Sequence, residues 1–172
     1  FSKTNYAIKD LIISFKDPRN INIGQKIFIK NKNELRINDI KEETFIKYKE
    51  ILMKNSVPFS PEDLLENKSL LLENNIQHLQ AIDWDKGCYI GQEITARMKY
   101  RALIKKQIYS LKILSGEINI GEDIVLNEVI IGKVVSKVNQ YILCMLKIAL
   151  VKEKSKNKEK IEVNNSTILQ YL

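Results

Sequence analysis

The chain has 172 residues, enough for one domain or two small ones, and its 44% hydrophobic content is that of a globular protein able to bury a core. Its net charge of +7 raises nucleic acid and anionic lipid as partners, yet of the 28 basic residues only Arg19, Arg36, Arg97 and Arg101 are arginine. A Lys-, Asn- and Ile-rich chain poor in Gly and Arg matches coding from an A/T-rich genome, so charge by itself does not single out a phosphate-binding face.

No apolar run approaches the roughly 20 residues that span a bilayer, and the start lacks the charged-then-apolar order of a signal peptide. A soluble cytoplasmic protein without a membrane partner is expected. Cys88 and Cys144 are far apart and form no ligand spacing, which excludes a disulfide framework and a zinc site and favours a reducing compartment. The sequence opens at Phe1, in mid-pattern and without a methionine, which predicts that an N-terminal portion precedes it.

Tyr6 to Phe15 and Gln25 to Ile29, rich in Ile, Phe and Tyr and separated by the loop Lys16-Asp17-Pro18-Arg19-Asn20, read as two strands. From Lys41 to Asn55, Phe45, Tyr48, Ile51 and Leu52 recur at three- and four-residue steps, the pattern of an amphipathic helix. Pro58 and Pro61 then break it. Glu62 to Ile82 is Leu-rich without a clean period. A short helix is expected from near Gly91, with Ile94 and Met98 on one face and a Glu93–Arg97 ion pair on another. Beyond Arg101 come β-type runs at Gln107–Leu114, Asp123–Leu126, Val129–Val138, Tyr141–Leu150 and Thr167–Tyr171, parted by turn signals such as Ser115-Gly116 and Asn139-Gln140. They predict a small antiparallel barrel or sandwich. The charge run Lys152 to Lys160 reads as a solvated loop between the last two strands.

The chemistry concentrates at Asp85-Lys86-Gly87-Cys88-Tyr89-Ile90-Gly91-Gln92-Glu93. A thiolate is the reactive and metal-binding form of cysteine, and nearby cations and helix N-termini favour it. Lys86 and the helix expected near Gly91 offer both. Gly87 and Gly91 allow close backbone approach, Tyr89 a stacking face, and Gln92 and Glu93 mixed donor and acceptor edges. A second reading stands beside this one: Cys88 as a small buried hydrophobe, with the glycines shaping a tight turn. Cys144, between Leu143 and Met145, reads as core, Trp84 as a packing anchor, and His78 as a non-catalytic residue.

Lys86, Gly87, Cys88, Tyr89, Gly91, Gln92 and Glu93 match a signature of the form K-G-C-(F/Y)-x-G-Q-E in full, and at these residues the chain closely resembles the YgfZ family of folate-binding proteins, relatives of the glycine-cleavage T-protein. Ala96-Arg97-Met98-Lys99-Tyr100-Arg101 is similar to the family's continuation, Asp17-Pro18-Arg19 with Ile23-Gly24 to an earlier segment, and Gly132-Lys133-Val134-Val135-Ser136 to its C-terminal barrel. Asn55 and Leu71-Leu72-Glu73 depart from the usual pattern.

The resemblance implies an α+β protein: a partial T-protein-like folate-binding region over residues 1–101, then a small antiparallel β-barrel over 102–172. It implies a tetrahydrofolate-linked factor that assists iron–sulfur cluster assembly or repair, particularly of 4Fe–4S clusters in clients such as tRNA-modifying enzymes. Iron–sulfur assembly proteins and those clients are the expected partners, with no direct nucleic acid and no resident metal. The compartment would be the cytoplasm, or the mitochondrial matrix if the source is eukaryotic. Cys88 is then the functional thiol and Lys86 its electrostatic tuner, with Gly87, Tyr89, Gly91, Gln92, Glu93 and Arg97 as folate-facing or orienting residues. The alternative is a folate-dependent aminomethyltransferase-like enzyme. That chemistry needs a carboxylate to manage protons and no thiol.

Overall fold

Residues 11–30, 43–101, 104–164 and 167–172 are described by the structure, a computed structural model. Leu11–Lys16 (β1) and Gln25–Ile29 (β2) pair antiparallel as a two-stranded sheet; the expected strand start at 6–10 lies outside the described residues. The reversal between them is tied by Asp17. Its N–H donates to the Gly24 carbonyl at 2.9 Å, and its buried carboxylate accepts from Arg19 Nε at 3.0 Å and Nη2 at 2.7 Å. The Arg19 side-chain hydrogen bonds hold the Asp17 carboxyl at about 2, below its ordinary 3.8. Arg19 also reaches Tyr48 Oη at 3.0 Å, so the hairpin is latched to the next element.

That element is the helix Phe45–Lys54 (α1). Residues 41–42 of the expected helix lie outside the described residues. The buried apolar face is rotated from the expected stripe: Leu52 and Met53 are buried, whereas Phe45 is 56% exposed and sets its ring edge-on to Phe59. Glu50 is buried beside them. It accepts a hydrogen bond from Asn139 and pairs with Lys47, and the Asn139 contact chiefly lowers its pKa.

Glu62 to Ile82 runs as successive turns, with Leu72 and Leu79 buried. It supplies backbone partners to a strand edge: Ile108 N–H donates to the Glu73 carbonyl at 2.8 Å, and Asn75 Nδ2 donates to the Ile108 carbonyl at 3.1 Å. A second helix, Gln92–Tyr100 (α2), leads into the β region.

There, Lys106–Ser115 (β3), Asp123–Leu126 (β4), Val129–Val138 (β5), Tyr141–Lys147 (β6), Lys160–Val163 (β7) and Thr167–Tyr171 (β8) form one antiparallel sheet in the order β4-β5-β6-β3-β8-β7. The sheet curls into a nearly closed barrel. Asn164 seals the seam between β4 and β7, accepting from Val125 N–H at 2.8 Å and donating its own N–H to the Val125 carbonyl at 3.0 Å. Side chains alternate along β6: Ile142, Cys144 and Leu146 fill the interior, while Tyr141, Leu143 and Met145 pack outward with Met53 of α1. Gly132 is required where β5 crosses β6, because a Cβ there would stand 2.2 Å from the Met145 carbonyl oxygen.

Two expectations are corrected here. The strand expected over Tyr141–Leu150 ends at Lys147, and Ile148–Lys156 form a helix (α3) that places Val151 in the barrel core. The charge run is mostly exposed, as expected, but it is the end of that helix, a turn and the start of β7, where Ile161 and Val163 are buried, rather than a loop throughout. Reading the run from Lys152 cuts the polar half of the helix away from the apolar turn that anchors it.

Candidate functional site

Cys88 is exposed, so the buried-hydrophobe reading does not hold for it. Cys144 is the buried thiol, as expected, and burial pushes its pKa up. Cys88 sits in an irregular segment that ends in a tight turn over Tyr89-Ile90-Gly91-Gln92. The Gln92 N–H donates to the Tyr89 carbonyl at 3.1 Å, and Gly91 has φ 87° and ψ −3°, the left-handed position that a type II turn requires at its third residue. The Gln92 side chain closes the turn a second time, its Oε1 accepting from Tyr89 N–H at 3.1 Å. Of the first N–H groups of α2, that of Gln92 thereby gains a partner in the turn. Thr95 adds a hydrogen bond from Oγ1 to the Gly91 carbonyl at 3.4 Å.

Around the turn the charged side chains find partners. The Lys86 ammonium lies over the Tyr89 ring, 4.5 Å from its centroid. Glu93 and Arg97 form the expected ion pair at 2.6 Å, both largely exposed. Trp84 sets its ring edge-on to Tyr100 at 6.4 Å and receives the Lys99 ammonium at 3.6 Å. The segment from Trp84 to Tyr100 is thus closed on itself at both ends. Trp84 is half-buried and joins none of the apolar clusters; its partners Lys99 and Tyr100 belong to the Ala96–Arg101 continuation of the signature.

None of the three apolar clusters includes a residue of α2. Ile90 is fully exposed and Ile94 is 61% exposed. Gly87 shows no positive φ, and an added Cβ would meet nothing within 4 Å, so no contact inside the chain demands glycine there. His78 is exposed. A groove of about 570 Å³ lies elsewhere, between the turns around Leu65 and the outer face of β5 and β6. Among the described residues no three or more His, Cys, Asp or Glu side chains gather as a metal site.

Gln92 Oε1 is thus engaged with Tyr89, and Glu93 with Arg97. What the geometry offers is one accessible thiol immediately before a doubly closed turn.

No family model matches the chain. Among curated proteins it is similar to the mitochondrial iron–sulfur cluster assembly factor IBA57 of Homo sapiens, at 28% identity over 102 residues, 59% of this chain and 29% of the human protein. The homologue from Dictyostelium discoideum is 29% identical over 107 residues (59% of this chain, 26% of that protein), and that from Neurospora crassa 30% over 95 (54% and 21%). The homologues are iron–sulfur cluster assembly factors. Their names place them in mitochondria, and this chain spans less than a third of their length. Among the described residues no helix is long and apolar enough to cross a membrane.

Proposed function

We propose that this chain is the working part of an iron–sulfur cluster assembly or repair factor in which Cys88 is the functional thiol. The observation that carries the reading is the exposure of Cys88 next to a doubly closed turn, in a chain whose relatives are named for cluster assembly. A thiolate is a soft ligand for iron and an acceptor for sulfur. One thiol cannot supply the four thiolates of a 4Fe–4S cluster. Cys88 therefore acts with ligands from elsewhere, on iron–sulfur assembly proteins or on client enzymes, tRNA-modifying ones among them. In a eukaryotic source the compartment is the mitochondrial matrix, in a bacterium the cytoplasm.

Tetrahydrofolate enters as the ligand class that the signature implies. A folate held by Gln92, Glu93 or Arg97 must replace the contacts those groups now make. The single tryptophan, Trp84, lies beside the signature, and saturable quenching of its fluorescence by tetrahydrofolate is the expected sign of binding. An unchanged spectrum rejects the folate part of the proposal alone.

The central experiment is Cys88→Ser in cells that lack their own assembly factor. The activity of a 4Fe–4S client is expected to fall to the empty-vector level at unchanged protein abundance. Full rescue by the serine variant overturns the reading.

A further inference from the structure

We propose that the hollow where the end of α1 meets the barrel is a binding site for a small molecule that carries a diphosphate group, separate from the turn at Cys88. Strand register lays out its floor. Lys112 of β3 stands opposite Tyr141 of β6 on one side and opposite Gln170 of β8 on the other, and residues directly opposed in an antiparallel pair share a face. Tyr141 faces outward, packed with Met53 of α1, so Lys112 and Gln170 face outward beside it. Lys54, in the last turn of α1, lays its ammonium on the Tyr141 ring, 4.5 Å from the centroid. Lys158, in the turn between α3 and β7, adds to the wall, and the hollow measures about 510 Å³. Lys112 lies about 20 Å along β3 from Lys106, where the chain arrives from α2.

Three lysines from three parts of the chain thus line one hollow, and no side-chain carboxylate lines it with them. None of the three forms an ion pair with a described residue, Leu172 included. Glu50, close enough to feel the Lys54 charge, is bonded to Asn139 and Lys47, and Glu159, next to Lys158 in the chain, is bonded to Lys154 and Asn157. Like charges gathered without a counter-ion repel, and the remedy is an anion from outside. An ammonium is a point charge with three rotatable donors, suited to a tetrahedral oxyanion; the planar fork that matches a carboxylate belongs to arginine, and no arginine lines the hollow. A diphosphate ester carries about three negative charges at neutral pH, one for each ammonium. The volume is more than a lone phosphate fills and is that of a small-molecule site. A nucleic-acid strand is a poorer match, since Tyr141 and Tyr171 are buried and present no ring for a base to stack on.

The test is calorimetric titration of the full chain with inorganic pyrophosphate, free of divalent metal and at low salt. One saturable site is expected, and inorganic phosphate, with less charge, should bind it about tenfold more weakly. Lys112→Met is expected to weaken pyrophosphate binding about tenfold, and Lys54→Met and Lys158→Met severalfold each. Lys152→Met removes the same charge from an exposed position of α3 outside the hollow and should leave the affinity unchanged.

Binding that never saturates, equal affinity for phosphate and pyrophosphate, or equal losses in Lys112→Met and Lys152→Met overturns the inference, the last because net charge alone would then explain the binding. A short oligouridylate that displaces pyrophosphate at a lower concentration of phosphate groups also overturns it, in favour of nucleic acid. Should Lys112→Met unfold the chain, seen by circular dichroism, the exposed Lys54→Met decides by the same comparison with Lys152→Met.

Discussion

The two cysteines stand in regions held together by opposite physics. Around Cys144 the barrel interior is apolar and β6 is buried on both faces, so stability comes from apolar area and close packing. Around Cys88, from Trp84 to Tyr100, no residue joins the apolar clusters and only Thr95 and Met98 are buried. Order there comes from a turn closed twice by Gln92, from cations seated on rings, and from an exposed ion pair. The hairpin ahead of α1 follows the same polar logic through Asp17 and Arg19. A packed interior suits a residue that must not react, and a latched surface turn suits one that must be reached.

Three measurements would break or sharpen that contrast. The largest effect is expected in the barrel: Leu111, fully buried, should cost about 3 kcal/mol on substitution by alanine, read from urea unfolding, with Cys88 alkylation in the folded protein unchanged. A coupled loss of Cys88 reactivity would show that the two regions are not mechanically separate.

The next effect is pH-dependent. Because the Asp17 carboxyl is depressed in the folded state, from an ordinary 3.8 to about 2, the folded chain binds fewer protons than the unfolded one in that interval. Its stabilising contribution is fully present above about pH 4 and is lost as the pH falls through about 2, a total of about 2 kcal/mol. Asp17→Asn should flatten that part of the stability profile. A variant as pH-sensitive as the wild type would place the effect on another carboxylate.

The smallest effect compares the cysteines directly. Cys144→Ser puts a hydroxyl into the barrel interior and should destabilise by about 1–3 kcal/mol, whereas Cys88→Ser, at an exposed position, should stay within about 0.5 kcal/mol by thermal unfolding. Equal costs would mean that the turn carries more of the fold than its contacts indicate.

Much of the barrel was legible because its signal is local. Alternation along Gln107–Leu114 and Val129–Val138, cut by turn residues, names strands whatever their partners. The four-residue strand β7 escaped because Ile161 and Val163 supply only two apolar positions at the edge of a lysine-rich run. The expected face of α1 was misjudged for a related reason. Phe45, Tyr48, Ile51 and Leu52 fit a helical stripe, and Met53, outside it, is buried because Leu143 and Tyr141, far along the chain, pack on it.

By itself the sequence determined the signature around Cys88, the helix that follows it, the Glu93–Arg97 pair and most strands of the barrel, since each depends on neighbours within a few positions. Only the tertiary structure decided that α3 caps the barrel core, that Asn164 closes its seam, and that Gln92 and Lys86 spend their contacts on Tyr89. Those outcomes depend on which of several chemically able partners comes within reach, and reach is set by chain packing rather than by residue type.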